Sequence, residues 1–274
     1  MLPEYFEFSL PTRVLYGIGV IDQLSEAVAS YGRRRALLVT DAVLVQAGLA
    51  ERVKAGFRQT AIEIACVYDQ VPPNSTIRTV EDCAALGRVH GCDLIVGLGG
   101  GSVLDTAKVA NILMVKGGRV QEHMGAYLLG QAKLLPLVLI PTTAGTGSEA
   151  TKVAVIADPE HDVKLPFAET QFLPDLAILD PELTRTMPPK LTAATGMDAL
   201  THAIEAYVGK EWSPATDGLA LQAIRLIRDN LLLACAQPDH LPARGAMLAA
   251  GRLAGVGGSQ SRVGVVHGIA AALF

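Results

Sequence analysis

The sequence predicts an α/β fold with a mainly parallel sheet, followed by an all-helical C-terminal domain. Three observations carry that expectation. Short, buried-looking β-rich runs alternate with helical stretches through the first two thirds of the chain, the pattern of helices packed on a parallel sheet. A proline-rich connection, "PELTRTMPPK", then interrupts the alternation after Pro181. From Leu191 onward the hydrophobic period is helical. With 274 residues, 50% of them hydrophobic, the chain is long enough to bury a core in each of two domains, which we place at 1–185 and 186–274.

The first strand is "RALLVTD", Arg35 to Asp41, and it ends on an acid. A carboxylate at the end of a strand can bind the ribose hydroxyls of a dinucleotide or simply cap the next helix. "TVEDCAALGRVHG" reads as a helix leading into the second strand, "DLIVGLG", Asp93 to Gly99. Beyond it, Gly99, Gly100, Gly101 and Ser102 turn the strand into a helix expected to open at Ser102. Glycines allow close backbone approach there, and the free N–H groups of a helix start favour an anion, so the turn reads as a phosphate cradle or a tight structural turn. Asp105 falls in the expected first turn, where it could cap the helix or accept from a ligand hydroxyl. Asp41 precedes this turn instead of following it, so the unit is not a standard Rossmann fingerprint; an acid at Asp41 would repel a 2'-phosphate and favour NAD.

"LLPLVLIPTT", Leu134 to Thr143, is the third strand. It runs into "PTTAGTGSEAT", where Thr142, Thr143, Thr146 and Ser148 crowd hydroxyls at the ligand-binding edge of a sheet, although a polar loop needs no ligand to explain it. "LAILD", Leu176 to Asp180, is the fourth. In the helical part, "TGMDALTHAIEAY" sets Asp198 and His202 four apart, hence on one face. His267 stands alone in the apolar "VGVVHGIAAAL", whereas His90, His123, His161 and His240 lie in polar or loop contexts and read as solvated. Singly, each of Asp198, His202 and His267 reads as a satisfied core group; jointly, one carboxylate and two imidazoles fit a divalent ion with an open position.

Composition limits the partners. Twenty-seven acidic and 23 basic residues give a formal charge of -4 with both signs scattered, which argues against nucleic acid. The longest clean apolar runs fall short of the roughly 18 residues needed to cross a bilayer, and "MLPEYFEFSLPTR" lacks a signal-peptide core, so no membrane or export role is expected. Cys66, Cys83, Cys92 and Cys235 form no C-x-x-C pair and suit buried thiols in a reducing, cytoplasmic compartment. The glycine-rich "AGVGGSQS" is too short for low complexity.

The GGGS turn, "PTTAGTGSEAT", "DPELTRTMPPKLTAATGMDALTHAIEAY" and "VHG", in that order, resemble the iron-containing, or group III, alcohol dehydrogenase family nearly end to end. The resemblance implies an N-terminal NAD-binding domain, a helical metal-binding domain, and hydride transfer between a primary or secondary alcohol, or its aldehyde or ketone, and NAD. It implies cofactor contacts from Asp41, Asn74, Gly99 to Ser102, Asp105, Thr142, Thr143 and Thr146, with Lys164 nearby. It also implies that Asp198, His202 and His267 act catalytically through a shared Fe(II) or Zn(II) ion, in a homodimer or larger homo-oligomer. Family members carry a fourth ligand histidine in a "PHG"-like motif soon after the third and often a histidine one turn after it; here Ala271 stands at the latter place and the sequence stops at Phe274. The chain therefore reads as a truncated member with an incomplete helical domain. Two other readings follow: a metal-free enzyme resembling maleylacetate reductase, against which Asp198 speaks, and a non-catalytic NAD-binding remnant.

Overall fold

Among the described residues, nine strands in two sheets, six in the larger one, and five α-helices build the first two thirds of the molecule. The computed structural model describes residues 3–32, 34–58 and 60–272. In chain order these are β1 (Arg13–Tyr16), α1 (Leu24–Ala27), β2 (Arg34–Val39), α2 (Ala42–Gln46), α3 (Leu49–Phe57), β3 (Ile62–Tyr68), α4 (Ile77–Val89), β4 (Leu94–Gly99), α5 (Gly101–Lys116), β5 (Gly125–Ala126), β6 (Leu137–Pro141), β7 (Val153–Asp158), β8 (Val163–Ala168) and β9 (Leu176–Leu179). The main sheet runs β1-β9-β6-β4-β2-β3 and is parallel at every pairing. Its central strands β4, β6 and β9 are buried at every residue, because both sheet faces are covered and no polar side is left to alternate. One face packs on α4 and α5 through Leu37, Ile95, Leu104 and Leu139, the other on α1 to α3 through Leu24, Leu38, Val53 and Val96.

The expected strands are present but shorter. Leu134 to Pro136 stay outside the ladder: Pro136 has no N–H to give, and Leu135 N–H donates instead to the Asn111 side chain, 3.0 Å away. Asp180 leaves its strand because its buried carboxylate caps the next turn, accepting from Glu182 N–H, Gly19 N–H and Ile21 N–H at 3.0 to 3.1 Å. Strands β1 and β3, at the edges of the main sheet, are additional to the four read from the sequence. So is a second sheet, β5-β8-β7, in which β7 and β8 form an antiparallel hairpin.

Four helices follow: α6 (Pro189–Val208), α7 (Pro214–Ala236), α8 (Leu241–Ser261) and α9 (Val265–Ala272). Each of the first three begins with proline inside its first turn, where the missing N–H costs nothing. They pack on one another through Ala199, Ile227, Ala234, Met247 and Leu248, a core that also takes in Ala144 from the loop after β6. The glycines of "AGVGG" are interior to α8. Gly255 meets Gly147 of that loop so closely that an added Cβ would lie 2.9 Å from the Gly147 Cα. The glycines serve that approach at the cost of helix propensity.

Candidate metal and cofactor site

The glycine turn is built for proximity. β4 ends at Gly99, Gly100 is the N-cap of α5 and no side chain caps the helix. None of the three glycines has a positive φ. A Cβ on Gly100 would lie 3.1 Å from Thr143 Cγ2, one on Gly101 2.8 Å from Thr146 Cγ2, and one on Gly99 2.6 Å from Val103 Cβ. The turn and the threonine loop are thus pressed together at the carboxyl end of adjacent parallel strands, joined also by Thr142 N–H donating to the Gly99 carbonyl at 3.0 Å. Ser102 faces Asn74, whose N–H donates to Ser102 Oγ at 3.1 Å and whose φ of 57° is left-handed, a conformation asparagine tolerates better than most residues. At the end of β2, Asp41 caps α2 by accepting from Leu44 N–H at 2.9 Å, which takes one of its two carboxylate oxygens.

Asp105 differs from its expected place. The helix opens at Gly101, one residue early, which puts Asp105 beyond the first turn, half-buried, and both its oxygens are taken: Ser148 Oγ donates at 2.7 Å and Val155 N–H at 2.9 Å. Burial pushes its carboxyl up, against the opposing pull of Lys108. One turn on, fully buried Lys108 donates to the Thr151 carbonyl, Thr151 Oγ1 and the Val153 carbonyl at 2.9 to 3.2 Å. Helix α5 therefore holds the cradle at its start and clamps the 148–155 segment along its side. Lys164 lies on β8, half-buried, with α9 packed against that strand.

Asp198 and His202 rise from one face of α6, and α9 brings His267 to them. Asp198 Oδ1 stands 3.5 Å from His202 Nδ1 and 3.6 Å from His267 Nε2, the two rings are tilted with centroids 4.0 Å apart, and one ligand atom from each residue lies within 4.8 Å of the others. His202 Nδ1 also faces the Asp198 backbone carbonyl at 3.1 Å. His267 Nδ1 faces Glu205 Oε2 at 2.5 Å. Each Nδ1 thus has an oxygen acceptor within hydrogen-bond distance, an arrangement that suits the Nδ1–H tautomer and leaves Nε2 as the atom to offer an ion. Burial pushes His202 down, while the Asp198 carboxylate and then Glu205 push His267 up against burial. A half-buried carboxylate and two imidazoles make a mixed N/O donor set of the kind that holds a divalent transition ion. The threonine loop touches this helix: a Cβ on Gly145 would lie 2.6 Å from Thr195 Cβ, one turn before Asp198 on α6.

Sequence reasoning missed Glu205, although its spacing of seven from Asp198 puts it on the same helical stripe. Three histidines read as solvated have defined partners: His240 Nδ1 accepts from Ala243 N–H to cap α8, His161 pairs with Asp158 at 2.8 Å, and His123 Nε2 meets the Gly117 carbonyl at 2.9 Å. Short-range capping and turn bonds account for each. The side chain of Ala271 lies outside the described residues. The four cysteines are free thiols, two buried and two half-buried, with Cys66 and Cys92 Sγ 3.6 Å apart.

Comparison with known proteins places these features in context. Residues 11–181 match the family description "Iron-containing alcohol dehydrogenase", and residues 192–273 match its C-terminal counterpart. The chain is 39% identical over 262 residues to an NAD-dependent methanol dehydrogenase of Bacillus methanolicus, covering 96% of this chain and 68% of that protein. It is 42% identical over 258 residues to long-chain-alcohol dehydrogenase 1 of Geobacillus thermodenitrificans, covering 93% of this chain and 64% of that protein. The crystal structure of a 1,3-propanediol oxidoreductase superposes with a TM-score of 0.93 at 39% identity, over 97% of this chain and 69% of that one. The chain thus spans about two thirds of the length of the relatives it matches.

Proposed function

This chain belongs to the iron-containing alcohol dehydrogenase family, the NAD-dependent alcohol oxidoreductases, and we propose that it moves a hydride between a primary or secondary alcohol and NAD at a metal held by Asp198, His202 and His267. The observation that carries the site assignment is the convergence of those three donors within 4.8 Å, with both histidine Nδ1 atoms already occupied. The donor set suits Fe(II) or Zn(II). When bound, the ion supplies a Lewis acid to the alcohol oxygen and NAD supplies the hydride acceptor.

The chain's own groups supply binding and position. First-turn N–H groups at Gly101 and Ser102 would hold the cofactor's pyrophosphate, in a cradle shaped by the close packing of Gly100 and Gly101 on Thr143 and Thr146, and Asp41 would offer its second oxygen to the ribose. Asn74 and Ser102, bonded to each other, and Thr142 lie at the same turn, Lys164 would join the cofactor contacts from β8, and Asp105 holds the loop through Ser148 and Val155. The contact of Gly145 with Thr195 brings that edge against the helix bearing Asp198, so the nicotinamide end and the alcohol oxygen can be held next to each other. Four free thiols suit a cytoplasmic enzyme, and the family reading carries with it a homo-oligomer. The metal-free and non-catalytic alternatives are not favoured, since the relatives above are named as dehydrogenases.

The test is NAD reduction on a panel of short alcohols and diols by metal-supplemented protein. The parent is expected to turn over at least one of them, and Asp198→Ala to lose that turnover while binding NAD as tightly as the parent. Equal turnover in Asp198→Ala would contradict the site assignment.

A further inference from the structure

Glu205 is a buried carboxylate, 6% exposed, one turn beyond His202 on α6. It accepts three hydrogen bonds, all from one short stretch of another element: Gly264 N–H at 2.9 Å, Val266 N–H at 2.6 Å and His267 Nδ1–H at 2.5 Å. Gly264 and Val266 flank the first residue of α9, so the carboxylate caps that helix from outside, satisfying N–H groups that a helix start leaves free. The same oxygen that takes Gly264 N–H takes the ring proton of His267, which turns Nε2 toward Asp198 at 3.6 Å.

The surrounding backbone adds to the constraint. Arg262, between α8 and α9, sits at φ 63°, the left-handed region that a side chain enters at some cost, and its guanidinium is tied to Glu211 at 2.9 Å. Gly264 packs closely on the carboxylate: a Cβ there would lie 3.0 Å from Glu205 Oε1, so a larger residue would press on it. Without Glu205, nothing else among the described residues accepts a bond from the His267 Nδ1 atom, and the ring would keep only its contacts with Asp198 and the His202 ring.

We propose that Glu205 is the positioning residue for His267: it fixes the tautomer and the ring plane so that Nε2 presents to the ion held with Asp198 and His202. This rests on the metal-site reading above. It assigns the acid of "HAIEAY" a task distinct from ligation, acting through the histidine that it holds.

The experiment is a Co(II) titration of the full chain, reading affinity and ligand-field absorption bands in the parent, Glu205→Ala, Glu205→Gln and Asp198→Ala, with NAD binding as the control for folding. Glu205→Ala is expected to weaken Co(II) binding by about 10–100-fold and to change the bands, at unchanged NAD affinity. Glu205→Gln keeps one acceptor oxygen and is expected to recover most of both. A Glu205→Ala protein that only melts earlier, with parental Co(II) affinity and bands, would overturn the proposal. Parental binding in Asp198→Ala would instead overturn the metal-site reading. A parent that takes up no Co(II) would likewise overturn the metal-site reading, and the proposal with it. Should Glu205→Ala not fold, imidazole nitrogen NMR of the metal-free parent decides: a neutral His267 ring protonated at Nδ1 supports the role of Glu205, and one protonated at Nε2 refutes it.

Discussion

Lys108 shows how much of the candidate site depends on a residue outside the proposed ion and cofactor contacts. Its ammonium is buried from water, and three acceptors on Thr151 and Val153 receive its three protons. Burial drives its pKa from 10.5 down to about 8, with Asp105 and Glu149 pulling the other way. The folded value lies below the unfolded one, so between about 8 and 10.5 the unfolded chain binds more protons and stability rises with pH. Below about 8 both states are charged and that contribution is lost. At ~1.4 kcal/mol per pH unit, the parent should gain roughly 3 kcal/mol on Lys108→Met across the window, read as the difference between their urea unfolding curves from neutral to alkaline pH. Parallel pH profiles would refute it. At this scale Asp198, His202 and His267 are legible in the sequence, because charged or imidazole groups in apolar helical surroundings need a partner. Glu205 and Lys108 are not: an acid and a lysine on a helix most often face water, and only the tertiary neighbours reveal that these two do not.

Among elements, the contact of α8 with the loop after β6 sets how the glycine and threonine turns meet the helical part. Gly251 and Gly255 are one turn apart and let the backbone of residues 144–147 lie directly on the helix; Gly147 itself has φ 58°. Gly255→Ala would push its Cβ to 2.9 Å from the Gly147 Cα, with backbone on both sides and no flexible side chain to move. Such overpacking costs about 1–3 kcal/mol. Gly218→Ala, in α7 with nothing within 4 Å of the new methyl, should instead stabilise by about 0.5–1 kcal/mol through helix propensity. Chemical denaturation of the pair checks both signs, and equal losses would mean that α8 and the loop are not held as described. The buried strands β2, β4, β6 and β9 are legible as continuous apolar runs. The edge strands β1 and β3 and the β7–β8 hairpin escape that rule, because a strand with one open side or one exposed face carries exposed and polar residues that read as loop. The glycines of α8 mislead in the same way: helix propensity disfavours them, and a contact distant in sequence requires them.

In the whole molecule, the sheet part and the helical bundle meet along α6, α8 and α9, and each piece of the candidate site has its own means of fixation. The cradle is set by Gly100 and Gly101 against Thr143 and Thr146, the loop beneath it by Asp105 and Lys108, the junction by Gly145 against Thr195, and the third imidazole by Glu205. The two-part architecture is legible from the change of hydrophobic period near Pro181. The meeting of the parts is not, since it depends on which glycines face which backbone. The central claim is that this convergence holds a divalent ion. Its most direct test is the metal content of anaerobically purified protein, parent against Asp198→Ala and His202→Ala, with NAD affinity measured on the same samples. The account predicts about one ion per chain in the parent, lost in both variants with NAD binding retained. A parent without metal after exposure to Fe(II) and Zn(II), or variants that keep the parental content, would contradict it.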